Sequence, residues 1–253
     1  MKPVRLNLIF LTLGCGIIFM IFFSGRFAGH GNVPVKKINV LVITGGHEFD
    51  PEFFDVFRSY RDISFDTITQ PRSNKLICTD AIKKYDALVY YDMWQDISES
   101  QKSCYMDLMK SGKGIVFLHH SFVSYQNWDD FHHALGGTYY LENNKFNRKP
   151  SDYMHDLDIS VSVADPDHFI TSGVDDFVIH DEGYKDFNVE PGMHILLTAN
   201  NPHCDKNIAW TNHYLNSDIV YLMLGHDKKA YVNENYRRLV HNAILWVSHN
   251  TGD

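Results

Sequence analysis

From Ile38 onward the chain alternates between short apolar runs and segments in which apolar residues recur at helical spacing. The runs INVLVIT from Ile38, ALVYYD from Ala87 and GIVFL from Gly114 have few polar interior positions, the pattern of strands buried on both faces. Between them the spacing predicts a helix from about Pro51 to Arg61, a short strand from Ile63 to Ile68 and a helical segment from Thr79 to Lys84. Ser98 with Gln101 makes a capping box for a helix reaching Ser111, and Gly112 is placed to end it. Strands and helices alternating through short connections predict an α/β fold, with a mostly parallel sheet flanked by helices on both faces.

The pattern changes after Trp128. A helix over 129–135 and a Gly136-Gly137 break lead into a polar loop, and strands then dominate, around 158–163, 177–180, 194–199, 207–211 and 219–224. The expectation is a strand-rich C-terminal half closed by an amphipathic helix from about Glu234 to His249.

The N-terminus is different in kind. Lys2 and Arg5 precede an apolar run from Leu6 to Phe23, followed by a Gly-rich polar stretch. This reads as a signal or membrane anchor with its tether over residues 1–35, leaving one domain over 36–253 that is exported to the periplasm or cell surface. In 253 residues, 44% are apolar and 21% charged, a folded globular composition. The net charge of -8 offers no basic field for a polyanion, so nucleic acid is not an expected partner and the membrane is met only through the N-terminal segment. Cys78, Cys104 and Cys204 lack C-x-x-C spacing and are expected as buried small hydrophobes rather than disulfides or zinc ligands.

In an open parallel sheet, ligands bind outside the carboxyl ends of the strands. Here those ends carry polar groups repeatedly: His47, Asp92, His119-His120, the stretch His180-Asp181-Glu182, and Gly225-His226-Asp227. Neither G-x-S-x-G nor G-x-C-x-G follows GIVFL, and there is no Walker loop or G-x-G-x-x-G, which argues against a nucleophile elbow and a bound nucleotide. Glu182 is the expected general base and His119 the expected acid, with Asp181 beside them. The same groups could instead hold a divalent metal such as zinc, with His47, His119, His155 and His226 as imidazole ligands and Asp181 or Glu182 as carboxylate. Tyr91, Trp94, Tyr184 and Trp210 are placed to offer aromatic faces to a pyranose ring.

The ordered set Gly45-Gly46-His47, Gly112 to His119, Gly136-Gly137, Asp167-His168, Asp181-Glu182 with Tyr184, Ala209-Trp210-Thr211 and Leu224-Gly225-His226-Asp227 resembles ThuA-like (trehalose utilisation) proteins from about Ile38 to Trp246. The chain departs from that pattern at Phe169, where members often have Pro, and at Tyr214 to Asp218, which replaces a Gly-x-Gly-Arg turn. The resemblance implies a class I glutamine amidotransferase-like (flavodoxin-like) fold without the cysteine nucleophile, hence not an amidotransferase. It also implies a role in carbohydrate metabolism linked to oxidised (3-keto) glycosides. Two function classes follow: an exported enzyme acting on a glycoside or 3-keto sugar, and a non-catalytic carbohydrate-binding or scaffold module on the same fold.

Overall fold

The computed structural model describes residues 37–142 and 144–249. The anchor expected over 1–35 lies outside the described residues. Among the described residues, no helix is long and apolar enough to cross a membrane.

The strands are β1 (Ile38–Gly45), β2 (Ile63–Thr69), β3 (Ala87–Asp92), β4 (Gly114–Leu118), β5 (Gly137–Thr138), β6 (Asp152–Val163), β7 (Phe177–Lys185), β8 (Asn188–Val189), β9 (His194–Asn200), β10 (Asn207–Tyr214) and β11 (Ser217–Leu222). Nine of them form one sheet in the order β2-β1-β3-β4-β11-β10-β9-β6-β7, and β5 pairs with β8. From β2 to β11 every neighbouring pair is parallel. From β11 to β7 every pair is antiparallel. The parallel half is buried as its composition demands: in β3 and β4 every residue is buried, and Val40, Leu41, Val42 and Ile43 of β1 have essentially no exposed surface. Each such side chain contributes roughly 1.5–3 kcal/mol by leaving water.

Helix α1 spans Asp55–Arg58, α2 Arg72–Leu76, α3 Glu99–Lys110, α4 Asp129–Leu135, α5 Lys228–Tyr231 and α6 Glu234–Val247. The Ser98/Gln101 capping box closes on α3. α6 buries Tyr236, Leu239, Val240, Ala243 and Ile244 and packs against β4, β11 and β3, while α4 packs against β10 and β11. The long helix expected from Pro51 is instead a 3-10 turn followed by the single turn of α1, and Thr79 to Lys84 also settles as 3-10.

Two differences from the sequence reading matter for function. β7 runs on through Asp181, Glu182 and Tyr184 rather than ending at His180. β6 starts at Asp152 rather than 158, so that Tyr153 and Tyr184 become direct partners. Polar residues in this stretch alternate with apolar ones because one face is exposed, a weaker signal than the continuous runs of the parallel half.

The cysteine expectation is overturned. Cys78, just past α2, and Cys104, on α3, form a disulfide with Cα atoms 5.1 Å apart, closing a separation of 26 residues, and only Cys204 is free and buried among the described cysteines. No sequence spacing could show that α2 and α3 lie side by side. In the chain-entropy view a loop of this length contributes about 3.5 kcal/mol by restricting the unfolded chain. Replacing both residues by Ser is expected to lower stability in urea unfolding by ~2–4 kcal/mol, with the folded circular dichroism spectrum unchanged.

Candidate functional site

Strand order 2-1-3-4 reverses direction between β1 and β3, and the cleft lies at that switch, beyond the carboxyl ends of the parallel strands. A cavity of about 280 Å³ is lined there by His47 and Met93, which follow β1 and β3, by His120 and Val123 after β4, and by Tyr139 and Leu141. Its remaining wall comes from the antiparallel half: Tyr153 and His155 of β6, and Glu182 and Tyr184 of β7. The volume is at the small end of the ~300–1,000 Å³ typical of small-molecule sites.

His119 is the first residue after β4 and has φ 47, a left-handed backbone unusual for a side chain of its size. Its buried ring is fixed at both ends. Nδ1 donates to the Met223 carbonyl at 2.6 Å, so Nε2 carries the lone pair, 3.1 Å from His226 Nδ1 and 3.1 Å from the Tyr184 hydroxyl. Burial first, then the neighbouring imidazoles, hold His119 well below the usual histidine range. It is therefore a neutral acceptor near pH 7, which fits poorly the acid role expected of it.

His226 sits on the turn after β11. The preceding Gly225 has φ +111, and a Cβ there would lie 2.2 Å from the Tyr236 hydroxyl, so glycine is required by both backbone and space. His226 Nδ1 lies 2.9 Å from Glu182 Oε2. Partial burial works against protonation of His226, but the Glu182 carboxylate outweighs it and its pKa is raised. Glu182 itself is buried, and Oε2 is also 2.9 Å from His155 Nδ1. The contact with His155 depends on a bulge: Met154 pairs with Gly183 and Leu157 with Asp181, so His155 and Asp156 together face Glu182, with Asp156 at φ 56. Bulges of this kind re-aim a side chain.

Asp181 is one residue from Glu182 and does something different. Its carboxylate accepts from the backbone N–H groups of Gly225 at 2.7 Å, His226 at 2.9 Å and Glu182 at 2.9 Å. Burial pushes it up to about 6 against the pull of those donors. With its oxygens taken up by these three backbone donors, it positions the turn carrying His226. Asp92, at the end of β3, is likewise buried, pushed up to about 7 by desolvation, and bonded to Gln70 and Ser124.

Of the expected imidazoles, His119, His155 and His226 gather around Glu182. His47 stays on the rim, its Nδ1 turned to the Glu48 carbonyl and its ring stacked 4.4 Å from that of His120. His180, two residues before Glu182 on β7, does not join them and is paired with Asp156 and Asp158.

The aromatic expectations divide. Tyr184 lines the cavity. Tyr91 and Trp210 are fully buried and have no face for a sugar ring: Tyr91 donates to the Gly225 carbonyl, and the Trp210 indole to Leu135. Trp94 lies outside the cavity lining, its indole on the Asp96 carbonyl. The aromatic that sequence reasoning missed is Tyr153, 56% exposed at the cavity wall. Its signal was the two-residue period it shares with His155, matched by Glu182 and Tyr184 on the paired strand.

Among these groups, His119, Glu182 and His226 each present one donor atom within 4.8 Å of the others, an arrangement open to a metal ion as well as to proton transfer.

The sequence model of the ThuA family, described as trehalose utilisation, matches residues 39–247. No curated protein matches the chain. The fold is shared with a ThuA-like protein from Parabacteroides merdae (TM-score 0.70, 17% identity, covering 84% of this chain and 90% of that one). It is also shared with one from Bacteroides uniformis (0.63, 19%, 87% and 94%). A Salmonella typhimurium protein described as cytoplasmic aligns at 0.59 and 13% identity over 82% of this chain and 98% of its own.

Asp181→Asn tests the positioning role. An amide would set an N–H group against one of the three backbone donors, an unsatisfied buried contact of about 1–3 kcal/mol. Urea unfolding is expected to show a loss of that size, and NMR should show the His226 ring resonances displaced. Unchanged His226 signals would exclude the role.

Proposed function

Because the chain belongs to the ThuA (trehalose utilisation) family, a family of carbohydrate metabolism, we propose that it is an exported enzyme acting on a glycoside or 3-keto sugar by acid-base chemistry at Glu182. One observation carries this reading: a single buried carboxylate faces a sugar-sized cavity and touches two imidazoles at 2.9 Å. Glu182 is the only carboxylate in that lining.

A 3-keto group acidifies the C–H at C2, next to the anomeric carbon. Transfer of that proton to Glu182 expels the oxygen on C1, and the oxygen takes a proton as it leaves. His226 is the better donor for that second proton, since its pKa is raised while that of His119 is lowered. His119 contributes an oriented lone pair, and Tyr184 and Tyr153 present hydroxyls and ring edges to the sugar. His120 lines the same wall with both ring nitrogens unpartnered and is held neutral, down to about 3, by burial. It can therefore both give and accept a hydrogen bond to a substrate hydroxyl or carbonyl.

Export is supported by the Cys78–Cys104 disulfide, a bond that persists in oxidising compartments and is rare in the cytosol. The cytoplasmic description of the Salmonella relative belongs to that protein, and at 13% identity its compartment does not carry over.

Glu182→Gln is expected to lower turnover of 3-keto disaccharides by about 100-fold or more, typical of a lost acid-base group, with binding retained. Turnover equal to wild type would exclude Glu182 as the base. No turnover of any native or 3-keto disaccharide, together with sugar binding lost in Tyr153→Ala, would instead identify a binding module. For location, protease added to spheroplasts is expected to digest the domain; protection until the membrane is broken would overturn export.

A further inference from the structure

Resting on that reading of the cleft, we propose that His119, Glu182 and His226 bind a divalent transition metal, zinc above all, leaving a coordination position open to the cavity. The three donor atoms already stand close to a coordination polyhedron. His119 Nε2 and His226 Nδ1 are 3.1 Å apart, and His226 Nδ1 is 2.9 Å from Glu182 Oε2; the other carboxylate oxygen, Oε1, is 4.0 Å from His119 Nε2, and one donor atom from each residue lies within 4.8 Å of the other two. Ligands at roughly 2.0–2.2 Å around a tetrahedral ion lie about 3.3–3.6 Å from one another, so the Glu182 carboxylate needs to shift by about an ångström toward His119.

The second shell is also in place. Donation from His119 Nδ1 to the Met223 carbonyl fixes the tautomer and aims the other nitrogen inward, as outer-shell partners do for metal-bound histidines. Asp181 fixes the backbone of His226 through its N–H. His155, 52% exposed, hydrogen-bonds the carboxylate from the rim, and we place it outside the ligand set. Two imidazoles and one carboxylate form the donor set of zinc sites that keep a position for water or substrate.

Other His/carboxylate clusters lack this arrangement. His180, with Asp156 and Asp158, is exposed and already holds a cation, because the Lys229 ammonium lies 2.8 Å from Asp156 and 3.1 Å from His180 Nε2. His194 has only Asp165 as a partner. At Glu182, by contrast, no lysine or arginine forms an ion pair among the described residues, and the carboxylate meets imidazoles alone. An ion held there would supply, in place of the His226 proton, the electrophile that draws charge from a sugar oxygen, and Glu182, engaged as a ligand, would leave the proton transfer at C2 to His155 on the rim.

The test uses the purified full-length chain, stripped with a chelator and titrated with zinc chloride by calorimetry, with visible absorption of the cobalt(II) form as a second readout. One zinc per chain is expected. Affinity should fall at least about 100-fold in His119→Ala, Glu182→Gln and His226→Ala, and less in His155→Ala, since outer-shell changes cost about 10–100-fold. His180→Ala should bind as wild type. Four-coordinate cobalt bands are expected in wild type and His155→Ala and absent from Glu182→Gln, with circular dichroism confirming that each variant is folded. His226, 21% exposed against 1% for His119 and 7% for Glu182, is the ligand whose truncation least threatens the fold. No zinc binding by wild type, wild-type binding by folded ligand variants, or loss of binding in His180→Ala would each overturn the site. Turnover by stripped protein that binds no zinc removes the metal and keeps the enzyme; zinc binding without turnover of any sugar does the reverse.

Discussion

The site depends on one buried carboxylate that never touches the cavity. Three strands separate β7 from β11 in the sheet, a gap of about 19 Å if the sheet were flat, at ~4.8 Å per strand. Yet Asp181 of β7 bonds the backbone just after β11 at 2.7 and 2.9 Å. The antiparallel half must therefore curl over the carboxyl ends of the parallel half, and Asp181 is the tie that fixes the curl. A backbone N–H left unpaired in such a place costs about 1–3 kcal/mol, so loosening this contact penalises the turn and the strand together. Everything chemical follows from it, because the same turn carries His226 and the neighbouring residue on the strand is Glu182.

The two halves supply different chemistry for a physical reason. Strands of the parallel core end in tight turns whose side chains are held by backbone partners, as His119 is by the Met223 carbonyl. Burial on both faces disfavours charge there, and His119 and His120 are both driven toward the neutral form. The antiparallel half has one wetter face and can present a carboxylate with imidazole partners at its edge. The two halves thus meet at one point, where the His119 lone pair lies 4.0 Å from the Glu182 carboxylate beside the cavity.

This division also decides how much could be read from the chain. The parallel strands, the α3 capping box and the turn at His119 were legible because continuous apolar runs and cap residues carry strong local signals. His47, His119, Glu182 and His226 could be selected because they follow or flank such runs. Their separate duties were not legible. Asp181 and Glu182 are chemically alike and adjacent, and only the alternation along a strand longer than its apolar core sends one into the backbone turn and the other into the cavity. Tyr91 and Trp210 looked like ring platforms because polar neighbours flank them, but whether an aromatic packs inward depends on tertiary layers that no window of sequence contains. The Cys78–Cys104 pairing escaped for the same reason, since the adjacency of α2 and α3 is set by the sheet beneath them.

The turn after β4 shows how one such side chain is aimed. In α/β enzymes that use a nucleophile elbow, the reactive side chain sits on a sharp strand-to-helix turn with a strained backbone, which pushes it up into the cleft. His119 occupies that place here, directly after GIVFL, and retains the strain, with φ 47 leading into a 3-10 turn. Such strain persists only where surrounding contacts over-determine it. For His119 those contacts are the Met223 carbonyl, the stacked Tyr184 ring and the Tyr221 hydroxyl donating to its own carbonyl. The turn thus serves as a device for aiming an imidazole. With Nδ1 committed to a carbonyl, the neutral imidazole presents one lone pair, on Nε2, to the groups around Glu182. That lone pair meets the carboxylate that the curled antiparallel half brings to it.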